Sequence, residues 1–300
     1  MQERETELAG GSLHYQINND EVCITGFHGN ASEIILPDTI EGYPVRVIGK
    51  KAFLSKKNLR KIRLPEKTVS VQDWAFAYCD HLRCIQLPGS CADFGRAVFL
   101  ECKELTEVSV EHSDEQVLPR GAEKLLAAAV TGLDAYYLLD LKEVGTEEWL
   151  AKWDARLLTL LHTPDRTGYS RQVLCGEEDY GSIDFASYVS NRRMAKIRLI
   201  FVRLLAPVGL SPDLKKEMEQ YLVDHTLGCE TDETWQVLLK EYGNSREHYS
   251  LFAELGCIHS GNYREILHQT GEDYPEMKAF FIRHMDGVNN REDFFAGLEL

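Results

Sequence analysis

Hydrophobic positions between residues 33 and 110 recur at one fixed step. Phe53, Phe76 and Phe99 stand 23 residues apart; so do Leu59, Leu82 and Leu105, Ile62, Ile85 and Val108, and Leu64, Leu87 and Val110. Ile48, Val71 and Phe94 keep that step ahead of each Phe. The earlier EIILPDTI (33–40) matches KIRLPEKTV at a step of 28, and the five extra residues coincide with EGYPV (41–45), which predicts a turn inserted in the first coil. A period in the twenties with like residues at like places predicts a solenoid, because one repeat cannot bury its apolar face alone and stacks on the next. Equivalent side chains then form ladders, with coils about 4.8 Å apart. On this reading Cys79 and Cys102 share one small, buried position, and Pro65 and Pro88 each end a strand because proline has no N–H to give a ladder.

The alternation within each strand also assigns an outward row. With Ile62 and Leu64 inward, Lys61 and Arg63 point out, followed by Cys84 and Gln86 and then Glu107 and Ser109. The row runs from basic to acidic, and Lys50, Lys51, Lys56, Lys57 and Arg60 widen its basic end. Lys61, Arg63, Arg83, Gln86 and Glu107 are therefore the candidate protein-binding residues, the basic end suiting an acidic segment of a partner; a merely solvated face is the alternative. Cys84 is expected to be reachable by solvent, yet a thiol without a His or helix N-terminus beside it is no nucleophile. Upstream, SLHYQINNDEVCITGF (12–27) alternates Leu13, Tyr15 and Ile17, then Val22 and Ile24, about Asn18-Asn19-Asp20, which predicts a hairpin capping the first coil.

The pattern Ile48, Ala52-Phe53, Leu59, Ile62, Leu64-Pro65, then Val71, Ala75-Phe76, Cys79, Leu82, Ile85, Leu87-Pro88, closely resembles the BspA-type leucine-rich repeat over residues 33–110. In the third copy Val98 replaces Ala and Ser109-Val110 replaces Leu-Pro, so the solenoid is expected to stop there. The resemblance implies a bacterial recognition scaffold, often placed on the surface of host-associated species.

Past Glu111 the period of 23 gives way to helical spacing. Trp149, Trp153, Leu157 and Leu160 fall on one helical face, and Leu214, Met218, Tyr221 and Leu222 follow an N-cap Ser211 and a first-turn Pro212. Trp235, Leu238, Leu239 and Tyr242 form another stripe, as do Tyr249, Phe252 and Ala253 before a closing Gly256, and Met277, Phe280 and Phe281 after Pro275. Residues 249–284 resemble ankyrin-type helical hairpins without the Thr-Pro-Leu-His signature, and another stacked-hairpin array fits them equally. Residues 163–181 read as a long loop. The predicted class is α+β: a short leucine-rich-repeat β-solenoid with an N-terminal hairpin cap (1–111), then an α-helical hairpin array (112–300) whose first helices, within 115–141, cap the solenoid.

Composition narrows the function. The net charge of −15 divides into −3 over residues 1–111 and −12 over the rest, which argues against binding nucleic acid or anionic membranes, since both need phosphate neutralised by Lys and Arg. The N-terminal MQERETELAGGSLHYQ holds no apolar stretch of a signal peptide, which points to the cytoplasm, while the resemblance leaves surface placement open. The run MAKIRLIFVRLLAPVGL (194–210) is interrupted by Lys196, Arg198 and Arg203 and reads as a buried amphipathic helix rather than a membrane span. Arg192, Arg193, Lys196, Arg198 and Arg203 are expected to pair with acids, not with phosphate. The eight cysteines lack CxxC spacing, so reduced thiols are expected even though Cys79 and Cys102 lie within bridging range.

EEDYGSID (177–184) lacks the order of a calcium loop, His112-Ser113-Asp114 are sequence neighbours rather than a triad, and no HExxH, P-loop or GxGxxG occurs. No catalytic, metal or cofactor residues are assigned. The expected function is non-enzymatic protein recognition through the solenoid face, the helical array or both. A regulatory or architectural module acting through the helical half is the alternative, and an enzyme with an unrecognised site the third.

Overall fold

Strand alternation in the first 29 residues builds a meander. The structure, a computed structural model, describes residues 3–111, 119–169 and 184–296, the last nine of these by their backbone path alone. β1 (Arg4–Leu8), β2 (Gly11–Asn18) and β3 (Glu21–Gly29) pair antiparallel in succession. Asn19 and Asp20 at φ 50° and 60° turn the tight β2–β3 hairpin, for which Asn and Asp tolerate the left-handed region well. Leu13, Tyr15, Val22 and Ile24 fill one face of this hairpin, as the alternation predicts. β1 was not foreseen, since RETEL carries no apolar run; it adds an outer strand beyond the predicted cap.

Four coils, the first beginning with β3, each place one strand in each of two sheets, and the coil strands pair parallel. The first sheet runs β1-β2-β3-β6-β8-β10, with β6 (Tyr43–Ile48), β8 (Ser70–Val71) and β10 (Asp93–Phe94); the second runs β11-β9-β7-β4, with β4 (Glu33–Ile35), β7 (Lys61–Arg63), β9 (Cys84–Pro88) and β11 (Glu107–Glu111). In the second sheet Ile62 lies beside Ile85, and Ile85 beside Val108, as the period requires. Phe27, Phe53, Phe76 and Phe99 stack with ring centroids 6.0, 5.2 and 5.9 Å apart, and Phe76 is wholly buried. The inserted EGYPV is more than a turn: Glu41 and Gly42, both at positive φ, reverse the chain between β5 (Thr39–Ile40) and β6, so Tyr43 and Pro44 begin a strand.

Two further rows escape a reading by residue type. Lys51, Trp74 and Ala97 have φ of 61°, 57° and 51°, and Ser55, Tyr78 and Glu101 have 59°, 60° and 57°. The coils of Phe53, Phe76 and Phe99 thus make the same tight turn around the ring with two left-handed residues, none of them glycine, at a cost of about 1 kcal/mol or more each. Stacked coils recover it through bonds such as Phe53 N–H to Ala75 O (2.8 Å) and Phe76 N–H to Val98 O (3.0 Å). Cys79 and Cys102 lie in this ladder as free thiols, their Sγ donating to the Phe53 and Phe76 carbonyls at 3.0 and 3.1 Å.

The chain divides into two compact units at Leu157/Leu158. The period ends near Val110, but the first unit continues: α1 (Ala122–Thr131) packs on β11, and a 3-10 turn (Tyr136–Leu139) packs on α1. α2 (Glu147–His162) inserts Trp149 and Trp153, whose indole N–H groups donate to the Leu138 and Leu125 carbonyls, both at 2.9 Å. Leu161 is buried with Trp149, Trp153 and Leu157, whereas Leu160 is half-buried. Phe99 is buried and Val110 half-buried.

The second unit, from Leu158, is helical: α3 (Phe185–Leu205), α4 (Pro212–Asp224), α5 (Glu233–Tyr242), α6 (Arg246–Glu254), α7 (Tyr263–Thr270) and α8 (Pro275–Ala296). Ser211 caps α4, its Oγ accepting from Leu214 N–H at 3.3 Å. Trp235, Phe252 and Phe281 meet in the core, and Gly256 at φ 75° ends the α6 segment. Among the described residues no strand occurs here, and no helix is long and apolar enough to cross a membrane. The histidine-serine-aspartate run at 112–114, Cys175 and the acidic segment up to residue 183 lie outside the described residues.

Candidate recognition surface

The outward side of the second sheet presents Glu33, Lys61, Cys84 and Glu107 as one rung, and Ile35, Arg63, Gln86 and Ser109 as the next. Parallel pairing fixes both rungs in register. Lys61 and Glu107 are exposed, whereas Arg63, Cys84 and Gln86 are half-buried. The acidic end is larger than sequence spacing shows. Glu111, at the end of β11, accepts from Gln86 Nε2 and, at 3.4 Å, from Arg63 Nη2 two coils away. Arg63 also lies 3.8 Å from Glu66. The Cys84 thiol leans on Glu107 at 3.7 Å, and burial, then the charge of Glu107, raise its pKa, so it is partly covered and unreactive.

Arg83 falls just before β9 rather than within the row. Its Nε donates to Glu104 at 2.7 Å, beside His81 at the same distance, and the His81 and Arg83 bonds hold the Glu104 carboxyl below its ordinary pKa. The basic widening is partly spent as well: Lys57 pairs with Asp80, Lys56 sits over Phe27, and Lys50 and Lys51 lie 5.3 and 5.0 Å from the Trp74 ring. Lys61 makes no ion pair among the described residues. Ile35, 67% exposed on the same face, is the residue that sequence reasoning missed; aligning EIILP with KIRLP places it opposite Arg63.

In the helical unit Arg193, Lys196 and Arg198 of the second basic run pair with acids, as expected, while Arg192 Nε is buried without a hydrogen-bond partner among the described residues. Lys196 donates to Asp165 at 2.7 Å and to the Leu161 and Thr163 carbonyls, Arg193 bridges Asp165 and Glu233, and Arg198 grips Glu241 with two bonds of 2.8 and 2.6 Å. Arg203 donates to the Ala206 and Val208 carbonyls. A shallow groove of about 420 Å³ is lined by Asp213, Lys216, Glu217, Gln220, Tyr221 and Asp224, all from one helix, which gives no convergent set of groups. Among the described residues no three His, Cys, Asp or Glu side chains gather as metal ligands.

No curated protein matches the sequence. Solved structures that resemble it include a leucine-rich repeat protein of T. pallidum (27% identity, 35% of this chain and 49% of that one, TM-score 0.32). A leucine-rich cell surface protein of Faecalibacterium prausnitzii A2-165 matches at 26% identity over 37% of this chain and 32% of that one, TM-score 0.32. A leucine-rich repeat protein of Bacteroides capillosus matches at 20% identity over 36% of this chain and 99% of that one, TM-score 0.27. The chain thus spans about half the length of the first of these and a third of the second. The family described as the BspA type leucine rich repeat region matches residues 27–118 in six copies, the stretch that holds the Phe ladder and the outward rungs, and this part of the chain is a BspA-type leucine-rich repeat.

Proposed function

We propose that the protein is a non-enzymatic scaffold that recognises another protein through the outward face of the β11-β9-β7-β4 sheet. The repeat itself suggests a protein-interaction scaffold. The observation that carries the finer reading is the pair of outward rungs, held in register and graded from Lys61 and Arg63 on β7 to Glu107 and Glu111 on β11. Inward side chains of the same strands are spent on packing, so this row is free to vary without disturbing the fold. Graded charge on a rigid face sets partner orientation more than raw affinity.

The test is parallel affinity capture with the wild-type chain, with a Lys61→Glu/Glu107→Lys variant, and with Lys103→Glu, which changes an exposed turn elsewhere on the same coils. A protein held by the wild type and by Lys103→Glu but lost from the double variant supports the reading. Equal capture by all three removes the sheet face from the function.

A further inference from the structure

The N-terminal hairpin continues one sheet of the solenoid, and among the described residues no strand continues the other. β1 and β2 extend the first sheet beyond the first coil, whereas the second sheet ends at β4, which pairs with β7 alone. Lys61 N–H donates to Ser32 O and Leu36 N–H to Arg63 O, both at 3.1 Å, so residues 32, 34 and 36 direct their backbone groups at β7. Backbone groups alternate along a parallel ladder. The N–H and C=O of Glu33 and Ile35 therefore point the other way, and no partner for them occurs among the described residues. The β1–β2 turn reaches Asn30, through Asn30 N–H to Gly10 O, and lies against Ala31, two residues before β4.

Open edges are commonly protected by charge, and the two N-terminal edges differ in this respect. β1 carries Arg4, Glu5 and Glu7 in five residues. β4 is Glu33-Ile34-Ile35, and Ile35 is the most exposed large apolar side chain among the described residues. We propose that β4 accepts an extended segment of a partner protein as a fifth strand, with a Lys or Arg opposite Glu33 and an aliphatic residue opposite Ile35. This rests on the recognition reading but uses the sheet's edge instead of its face. Main-chain bonds to Glu33 and Ile35 supply the attachment, and the two side chains supply the choice. Lys61 is one strand further in, with Glu33 between it and the incoming segment, so the nearest cross-strand charge is negative. The net charge of −15 also favours a basic segment on approach.

The experiment uses the full chain, isotope-labelled, and an acetylated probe peptide Thr-Lys-Thr-Val-Thr-Lys. Controls are a Glu-for-Lys version and a version N-methylated on the amides that would face β4. The expected result is at least a tenfold slowing of amide exchange at Glu33 and Ile35. N-methylation and Ile35→Asp should each weaken binding at least tenfold, and Glu33→Lys should invert the preference to the Glu peptide. Both substitutions are at exposed positions, and unchanged melting verifies the fold of the variants. Equal binding of the N-methylated probe, with shifts confined to Lys61, Arg63 and Gln86, would overturn the edge proposal while leaving face recognition standing. The absence of any response to either peptide also overturns it, as does self-association abolished by Ile35→Asp, which would make the occupant a second copy.

Discussion

In the solenoid a core side chain rests on its own counterpart one coil away, whereas in the helical unit it rests on strangers. Phe53, Phe76 and Phe99 lie nearly parallel, with ring planes 11° and 13° apart. Trp235, Phe252 and Phe281 meet at 45° to 52°, each from a different helix. The first arrangement distributes packing evenly and leaves the outward rungs as the place where coils differ. The second closes a unique core and adds a partly buried ion network around Asp165, Lys196, Arg193 and Glu233. Repetition therefore suits presentation of a graded surface, and irregular packing does not.

The largest expected break in this contrast is Phe76→Ala. It removes a ring in contact with two identical rings and should cost about 3–5 kcal/mol in denaturant melts. A loss below about 1 kcal/mol would mean the ladder is not a packed core. Asp165→Asn comes next. It leaves the nearly buried Lys196 ammonium without its carboxylate and should cost about 3 kcal/mol, with the loss confined to the helical unit when amide exchange is followed.

Alkaline pH gives a smaller and more selective handle. Burial raises the Cys79 thiol from 9.0 to about 11 and the Cys102 thiol to about 12. The neutral thiol is thus favoured by the fold, and its stabilisation is complete below pH 9 and is lost as pH rises towards 11–12. By pH 11 the loss should be on the order of 2 kcal/mol per thiol, and a Cys79→Ala/Cys102→Ala chain should show a flatter profile above pH 9. The smallest effect belongs to Lys57→Ala, whose surface pair with Asp80 should contribute under about 1 kcal/mol.

The ladder was legible because a solenoid writes its contacts into the sequence at one period, so spacing alone brings Phe76 to Phe53. Ile35 lies on that same register, but an apolar residue one position past a buried Ile34 reads as part of a core run until the pairing with β7 is known. Glu111 was missed as a partner of Arg63 because the contact spans two coils and depends on side-chain reach. The left-handed residues at Trp74 and Tyr78 escaped because no glycine marks them; coil-to-coil bonds impose the conformation. Helix starts such as Ser211-Pro212 were readable from local chemistry, yet the partners of Trp235 were not, since no periodic rule relates residues on different helices.

The most direct test of like-on-like stacking is a pair of double-mutant cycles with mild truncations. Phe53→Leu with Phe76→Leu should show a coupling of about 0.5–3 kcal/mol, because the two rings touch, while Phe76→Leu with Phe281→Leu, in different units, should add to within about 0.5 kcal/mol. Additivity in the first cycle, or coupling in the second as large as that expected in the first, would contradict the account.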